Sequence, residues 1–443
     1  MNDHDPFEER LRETLRSDDA DDSGARPTDV DSFLSDVHRG ARSRQRRRVA
    51  GAAVAAVLAV GGGGVAVASL GAFDGDNTPV ADDTTNPTVD DTTESGATSP
   101  STPTTSDTPT SRAPASLTYT SQNSDVLSLT STDDNHQWAL VRTKDGTCKD
   151  NSCATVFARG TGGTWSPLGV LPGPADNDTG YPDDVAQLRF APDSRGGYDG
   201  WAFDNGLFST HDGGTTWSRA LPKQAGGQVH ELEARGNTVY ALITNGESHD
   251  DLVVSPMSSD DWQIVDTTMQ LDFTNDLVVT EGVVAMIGNS GGDDHRVLSS
   301  AANPNTGLAT GAWQFTDPCG SEQVAHLSSA ANVLWALCTD GTVKTATVSG
   351  DGPPQWADAG GPYSPNALLA ARSTTSAVLA QHNGLLELSA DGTSKPLSDN
   401  GFSHASLLGF TNEQLGFALV DGILWRTEDG GTTWTTDDVI PPG

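Results

Sequence analysis

Basic side chains are scarce in this chain: 25 Lys and Arg stand against 60 Asp and Glu, a net charge of −35 over 443 residues. That balance excludes nucleic acid or an anionic membrane surface as the partner of most of the chain. The deficit is localised, since residues 1–48 hold 12 acidic and 10 basic side chains and residues 49–443 hold 48 and 15. Such acidity favours solubility and cation binding, and its plainest reading is a solvated surface. Cysteine is also scarce, with Cys148, Cys153, Cys319 and Cys338 all in the later part of the chain. The absence of a CxxC and of a matching His pair excludes a zinc site. An even count suggests disulfides, most simply Cys148–Cys153 and Cys319–Cys338, although four cysteines permit three pairings. Charged helix formers are few, whereas Gly (48) and Pro (24) are abundant. That is the profile of many short strands joined by tight turns.

One long uncharged run is present. Residues 49-VAGAAVAAVLAVGGGGVAVASLGAF-73 follow 42-RSRQRRR-48. About 20 such residues in a helix cross a hydrocarbon core of about 30 Å. The arginines before it place the N-terminus inside the cell and the rest outside. The run is rich in Gly and Ala, and 66-AVA-68 would suit a signal peptidase. An uncleaved single-pass anchor is favoured because the preceding segment is long for a signal sequence. Residues 6–17 and 28–44 show helical periodicity, with Thr28 placed as N-cap and Val30, Phe33, Leu34 and Val37 on one face. Residues 74–115 are Thr, Ser, Pro and Asp with almost nothing to bury, which predicts a disordered stalk. The expected localisation is therefore a single-pass membrane protein with residues 116–443 outside the cell.

Residues 116–443 repeat. A bulky residue, Ala and a further apolar residue recur at Trp138-Ala139-Leu140, Trp201-Ala202-Phe203, Tyr240-Ala241-Leu242, Val284-Ala285-Met286, Trp335-Ala336-Leu337, the weaker Val378-Leu379-Ala380, and Phe417-Ala418-Leu419. A second marker, Trp165, Trp217, Trp262, Trp313, Trp356 and Trp434, has intervals of 52, 45, 51, 43 and 78 residues. The last interval fits two units if 391-DGTSKPL-397 marks a copy that lost its Trp. Both markers give seven units of about 45 residues with four strand-like segments each. This predicts an all-β chain folded as a seven-bladed β-propeller of four-stranded blades, preceded by a short helix, a transmembrane helix and a linker.

Two near-identical stretches, 209-STHDGGTTW-217 and 427-TEDGGTTW-434, fit turns between the third and fourth strands of a blade. In Thr210, Asp212, Gly214, Thr216 and Trp217, and in Thr427, Asp429, Gly431, Thr433 and Trp434, the Asp and Thr side chains are spaced to satisfy turn N–H groups. The glycines can take positive φ and the Trp folds back onto the blade. These residues resemble the Asp-box (BNR) repeats of sialidase-like, sortilin-type and photosystem II assembly-factor propellers. The resemblance implies a structural box on the face opposite the usual ligand site. It would also admit a sialidase activity, but the Arg-Ile-Pro motif of that family is missing, 189-RFAP-192 is not equivalent, and the arginines are scattered. No catalytic residue is assigned.

Longer connections after the second strand, 143–153, 244–251 and 289–296, share a face with the links between blades, including 172–184. Insertions on one face of a repeat protein mark a binding face. The candidates are Asp176, Asp178, Tyr181, Asp183, Asp184, Glu247, His249, Asp250, Asp251, Asp293, Asp294, His295 and Arg296. Their chemistry suits a basic or cation-assisted ligand. Asp176-x-Asp178-x-Gly180 has calcium-loop spacing without the bidentate Glu of an EF-hand, so no cofactor is expected beyond an optional Ca²⁺. The function expected is non-catalytic binding of an extracellular protein, peptide or envelope glycan, with residues 49–73 in the membrane. The alternatives are an extracellular glycoside hydrolase or a sensor signalling to a cytosolic partner.

Overall fold

The computed structural model describes residues 119–120, 123–144, 153–160, 163–172, 185–204, 206–220, 228–245, 249–267, 275–289, 295–348, 352–398 and 402–440. The segments read above as helices, anchor and stalk, together with Cys148, lie outside these residues. No helix among the described residues is long and apolar enough to cross a membrane.

Seven four-stranded antiparallel sheets follow one another, each a simple meander of consecutive strands. They span Ser124–Val170, Val185–Arg219, Gln228–Ile264, Asn275–Thr316, Val324–Asp358, Leu368–Ser398 and Ala405–Thr436, blades 1 to 7. First strands neighbour first strands from blade to blade, so they form the inner wall of a ring. The seven repeat units are thus the seven blades of a β-propeller.

Each hydrophobic cluster lies between two adjacent blades. Trp201 and Phe203 of blade 2 meet Ala241 of blade 3, Trp335 and Leu337 of blade 5 meet Ala377 of blade 6, and Phe417 and Leu419 of blade 7 meet Ala139 of blade 1. A second strand therefore buries both faces, sending alternate residues to opposite neighbours, which is why Val283–Gly288 and Val333–Cys338 are buried at every position. Blade 4 departs from the sequence reading. Val284 and Met286 face blade 3 while Ala285 faces blade 5, so the triplet Val284-Ala285-Met286 is one residue out of phase with the other copies. An unbroken apolar run carries no alternation from which phase can be read.

Outer edges are kept short or blunted. The fourth strands of blades 2, 3 and 7 have two residues each, Ser218–Arg219, Gln263–Ile264 and Thr435–Thr436. The longer ones of blades 1 and 6 contain Pro167 and Lys395-Pro396, which cannot template a further strand. First strands lack a ladder between blades and use side chains instead. Thr130 Oγ1 donates to the Leu188 carbonyl (2.7 Å), Leu188 N donates to Ser128 Oγ (3.2 Å), and Ala371 N donates to Ser328 Oγ (3.0 Å).

The ring closes without exchanging a strand. Blades 7 and 1 share an apolar cluster that includes Val439, and Asp437 accepts hydrogen bonds from Arg159 and from Trp165 Nε1 (2.9 Å) of blade 1. Cys319, in the link between blades 4 and 5, is disulfide-bonded to the fully buried Cys338 of blade 5. Cys153 is also disulfide-bonded. Trp335→Ala is expected to cost about 3–5 kcal/mol, because the void opens between two blades. Denaturant unfolding should show a lower midpoint with an unchanged slope.

Candidate functional site

In an antiparallel meander the turns after first and third strands emerge at one end of the ring. The connections after second strands, and those between blades, emerge at the other. The two ends differ in chemistry.

At the first end lie the two Asp-Gly-Gly turns. Asp212 Oδ1 accepts from Thr210 Oγ1 (2.8 Å) and Thr216 N (2.9 Å), and Oδ2 accepts from Thr216 Oγ1 (2.6 Å). Asp429 repeats this with Thr427 Oγ1 (2.9 Å), Thr433 N (2.8 Å) and Thr433 Oγ1 (2.7 Å). Trp217 Nε1 and Trp434 Nε1 each donate to the carbonyl two positions into the glycine pair, Gly214 and Gly431, at 2.9 Å. Those glycines have φ of 102° and 97°, closed to side chains. The turns also hold the preceding blade. Trp138 Nε1 of blade 1 donates to Gly213 O (3.2 Å), and Arg372 Nη1 of blade 6 donates to Gly430 O (2.7 Å). A Cβ on Gly169 of blade 1 would stand 2.5 Å from Gly214 O, so only glycine permits that approach. With every oxygen of both carboxylates so engaged, Asp212 and Asp429 serve the fold.

Next to the blade 2 turn is a cluster that spacing did not reveal. His211 Nδ1 lies 2.9 Å from Asp199 Oδ1, and its Nε2 is 3.7 Å from Asp260 Oδ2 of blade 3. Ser209 Oγ donates to the same Asp260 oxygen (2.7 Å), and Arg195 approaches Asp199 at 3.7 Å. Asp199 is fully buried. The hydrogen bonds to Asp199 and Asp260 hold the His211 pKa up at about 9 against the opposing effect of burial. His211 is therefore a cation that ties blade 2 to blade 3.

At the opposite end, the sequence candidates separate. Asp176, Asp178, Tyr181, Asp183, Asp184, Glu247, Asp293 and Asp294 lie outside the described residues. His249, Asp250 and Asp251 belong to the third strand of blade 3, paired with Asn245, Thr244 and Ile243, so the described residues at 244–245 and 249–251 are strand. Strand pairing also takes in Arg296, opposite Gly288. Asp250 is buried, and its Oδ1 accepts from Thr244 Oγ1 (2.7 Å) and lies 3.3 Å from His230 Nε2. His230 is the extra residue of a β-bulge in the first strand. Gln228 Nε2 donates to Asp204 Oδ1 nearby (2.7 Å), and Gln187 Nε2 to His230 O (3.2 Å). His295 and Arg296 stand half-buried in blade 4, the Arg296 guanidinium 5.9 Å from the Phe315 ring.

Irregularity in the first strand recurs near this end. Register shifts fall at Val126/Ser128, Val185/Gln187, Asn275/Val278, Val324/His326 and Ala405/Leu407, equivalent to the one at His230. Bulges bend a strand and re-aim its side chains. Among the described residues no group of three or more His, Cys, Asp or Glu is placed to hold a metal ion. Arginines are engaged within the fold: Arg159 with Asp437, Arg189 with Glu233, Arg235 with Glu281 and Arg372 with Glu387.

No protein-family model matches the chain, and no curated protein sequence matches it. Its similarity is to solved propellers. YCF48 from Cyanidioschyzon merolae matches with 15% identity and a TM-score of 0.46, covering 69% of this chain and 96% of that one. Puromycin hydrolase matches with 12% identity and a TM-score of 0.50, covering 70% of this chain and 53% of that one. An ancestral GH74 enzyme matches with 15% identity and a TM-score of 0.37, covering 70% and 51%. The sheets themselves establish the propeller fold, and at these identities the likeness says nothing of the chemistry.

Two outcomes follow from the turn end. Asp212→Ala leaves the turn donors of Thr210 and Thr216 without their acceptor and is expected to cost about 2 kcal/mol. Burial raises the Asp212 pKa, but the Thr216 and Thr210 hydrogen bonds outweigh it and hold the pKa below 3.8. The contribution is thus present above pH 3.8 and lost as pH falls through the depressed value, an acid limb that Asp212→Ala should flatten in thermal melts. For His211 the sign is opposite. Its contribution is complete below pH 6.5 and lost as pH rises through about 9, so His211→Gln should remove part of the alkaline loss of stability.

Proposed function

We propose that this propeller is a non-catalytic binding module outside the cell, with residues 49–73 as a single-pass anchor and residues 116–443 as the propeller domain. We read its two Asp-Gly-Gly turns as Asp-box repeats. Its partner is a protein or peptide with a basic face. What supports this reading is the composition of the connections expected at the end opposite the two turns: 143–153, 172–184, 244–251 and 289–296 carry Asp145, Asp150, Asp176, Asp178, Asp183, Asp184, Glu247, Asp250, Asp251, Asp293 and Asp294 against Lys144, Lys149 and Arg296. The sequence of these connections is net acidic, and a surface with an excess of one sign concentrates ligands of the opposite sign. The extended face of a propeller suits a macromolecular ligand better than a deep pocket does.

The test is a titration of the full chain in detergent with a fluorescent oligolysine and, as control, an oligoaspartate. Oligolysine is expected to bind with an affinity that falls as salt screens the surface. Converting Asp183, Asp184, Asp251, Asp293 and Asp294 to Asn should weaken it at least tenfold while the melting temperature holds. Equal binding by parent and variant would sink the assignment of the face.

A further inference from the structure

The inner wall of the ring is unevenly built. In blades 6 and 7 the first strands are apolar or small, Leu368–Ala371 and Ala405–Phe410, whereas blades 2 to 5 place charge there. Arg189 (2% exposed), Glu231 (3%), Glu233 (0%), Asp276 (0%) and His326 (5%) come from four successive blades. Arg189 Nη2 donates to Glu233 Oε1, and Arg189 Nε donates to the Leu232 carbonyl at 3.2 Å. Asp276 Oδ2 accepts from Leu327 N of blade 5 at 2.7 Å, with His326 Nδ1 3.4 Å away. Glu231 lies within electrostatic reach of Asp276, Arg189 and Glu233. The second oxygens of all three acids, Glu231 Oε2, Glu233 Oε2 and Asp276 Oδ1, are buried without a hydrogen-bond partner.

A charge count shows what this arrangement requires. Three carboxyl groups face one guanidinium, and even a protonated His326 leaves one negative charge over. An isolated ionised carboxylate in such surroundings is prohibitively expensive, and the group takes up a proton instead. Backbone geometry raises the stakes. Asp276 sits at the register shift of its strand with φ of 45°, and its side chain is what joins blade 4 to blade 5 at this level.

We propose that the axial cluster is a proton-binding site, in which Glu231, flanked by Asp276 and Glu233, holds a proton at neutral pH and gives it up only as blades 3 and 4 loosen. The groups facing Glu231 are Arg189 from blade 2, Glu233 on its own strand and Asp276 from blade 4, with His326 of blade 5 behind Asp276. Burial, then the charge of Asp276, pushes Glu231 well above the ordinary range of a glutamate. Burial likewise pushes Glu233 up to about 8, against the pull of Arg189. For an acid raised on folding, stability is complete below the unfolded value of 4.5 and is lost as pH rises through the folded one. First strands are held to their neighbours by a few side-chain bonds and not by ladders, so a new charge at this level acts on joints that no ladder reinforces.

The experiment uses the full chain in detergent, with two readouts. At neutral pH the infrared spectrum should contain a protonated-carboxyl C=O band that diminishes in Glu231→Gln. Urea unfolding between pH 5 and 9 should show a folding equilibrium constant that falls up to tenfold per pH unit more steeply in the parent than in Glu231→Gln. His211 contributes equally to both proteins and cancels in that difference. A band unchanged by Glu231→Gln, or identical pH slopes, overturns the proposal. Should Glu231→Gln fail to fold, Asp276→Asn replaces it. Removing the facing negative charge should move the titration midpoint to lower pH, and an unmoved midpoint overturns the proposal equally.

Discussion

Most of this molecule hangs on one packing relation, from which blade 4 departs: a bulky residue on the second strand of a blade shares an apolar cluster with a small one on the next. Trp201 on Ala241, Trp335 on Ala377 and Phe417 on Ala139 are instances, and the last of them is where the ring closes. No blade owns a core of its own. Each is a twisted sheet with two apolar faces, so stability is a property of the circle, and an interface lost anywhere exposes both partners. Interior volume is matched residue by residue because neither face can relax toward solvent.

Closure follows from the same relation with one addition. In blade 1 the turn before Trp165 lacks the Asp of its counterparts, and Asp437, at the far end of the last blade, accepts from Trp165 and Arg159 instead. Trp217 and Trp434 donate to a carbonyl of their own turn, whereas Trp165 is tied across the seam. The two intact turns stand in blades 2 and 7, the blades on either side of blade 1. Each holds its own blade to the one before it.

What the sequence discloses and what it conceals divide along separation in the chain. The triplets that recur at Trp138, Trp201, Tyr240, Val284, Trp335, Val378 and Phe417 make the blade count readable, because each signal lies within one strand. The phase of blade 4 is not readable, since Val283–Gly288 is apolar on both faces. Nor is the condition of Asp250: a polar run that reads as a loop is a strand, and its acid is buried against Thr244 and His230. His211 with Asp260, and Glu231 with Asp276, are hidden for a stronger reason. Their partners sit in different blades, and only the circular arrangement of the sheets brings them together.

Because every blade here is one uninterrupted stretch of chain, the order in which blades are written in the sequence is independent of their order as a mechanical object. The circle has a seam between blades 7 and 1, and among the described residues that seam is an apolar cluster with side-chain hydrogen bonds, the same kind of packing that joins the other blades. A rearranged gene that began at any inter-blade connection and joined the present ends would therefore encode the same seven joints, with the seam simply relocated.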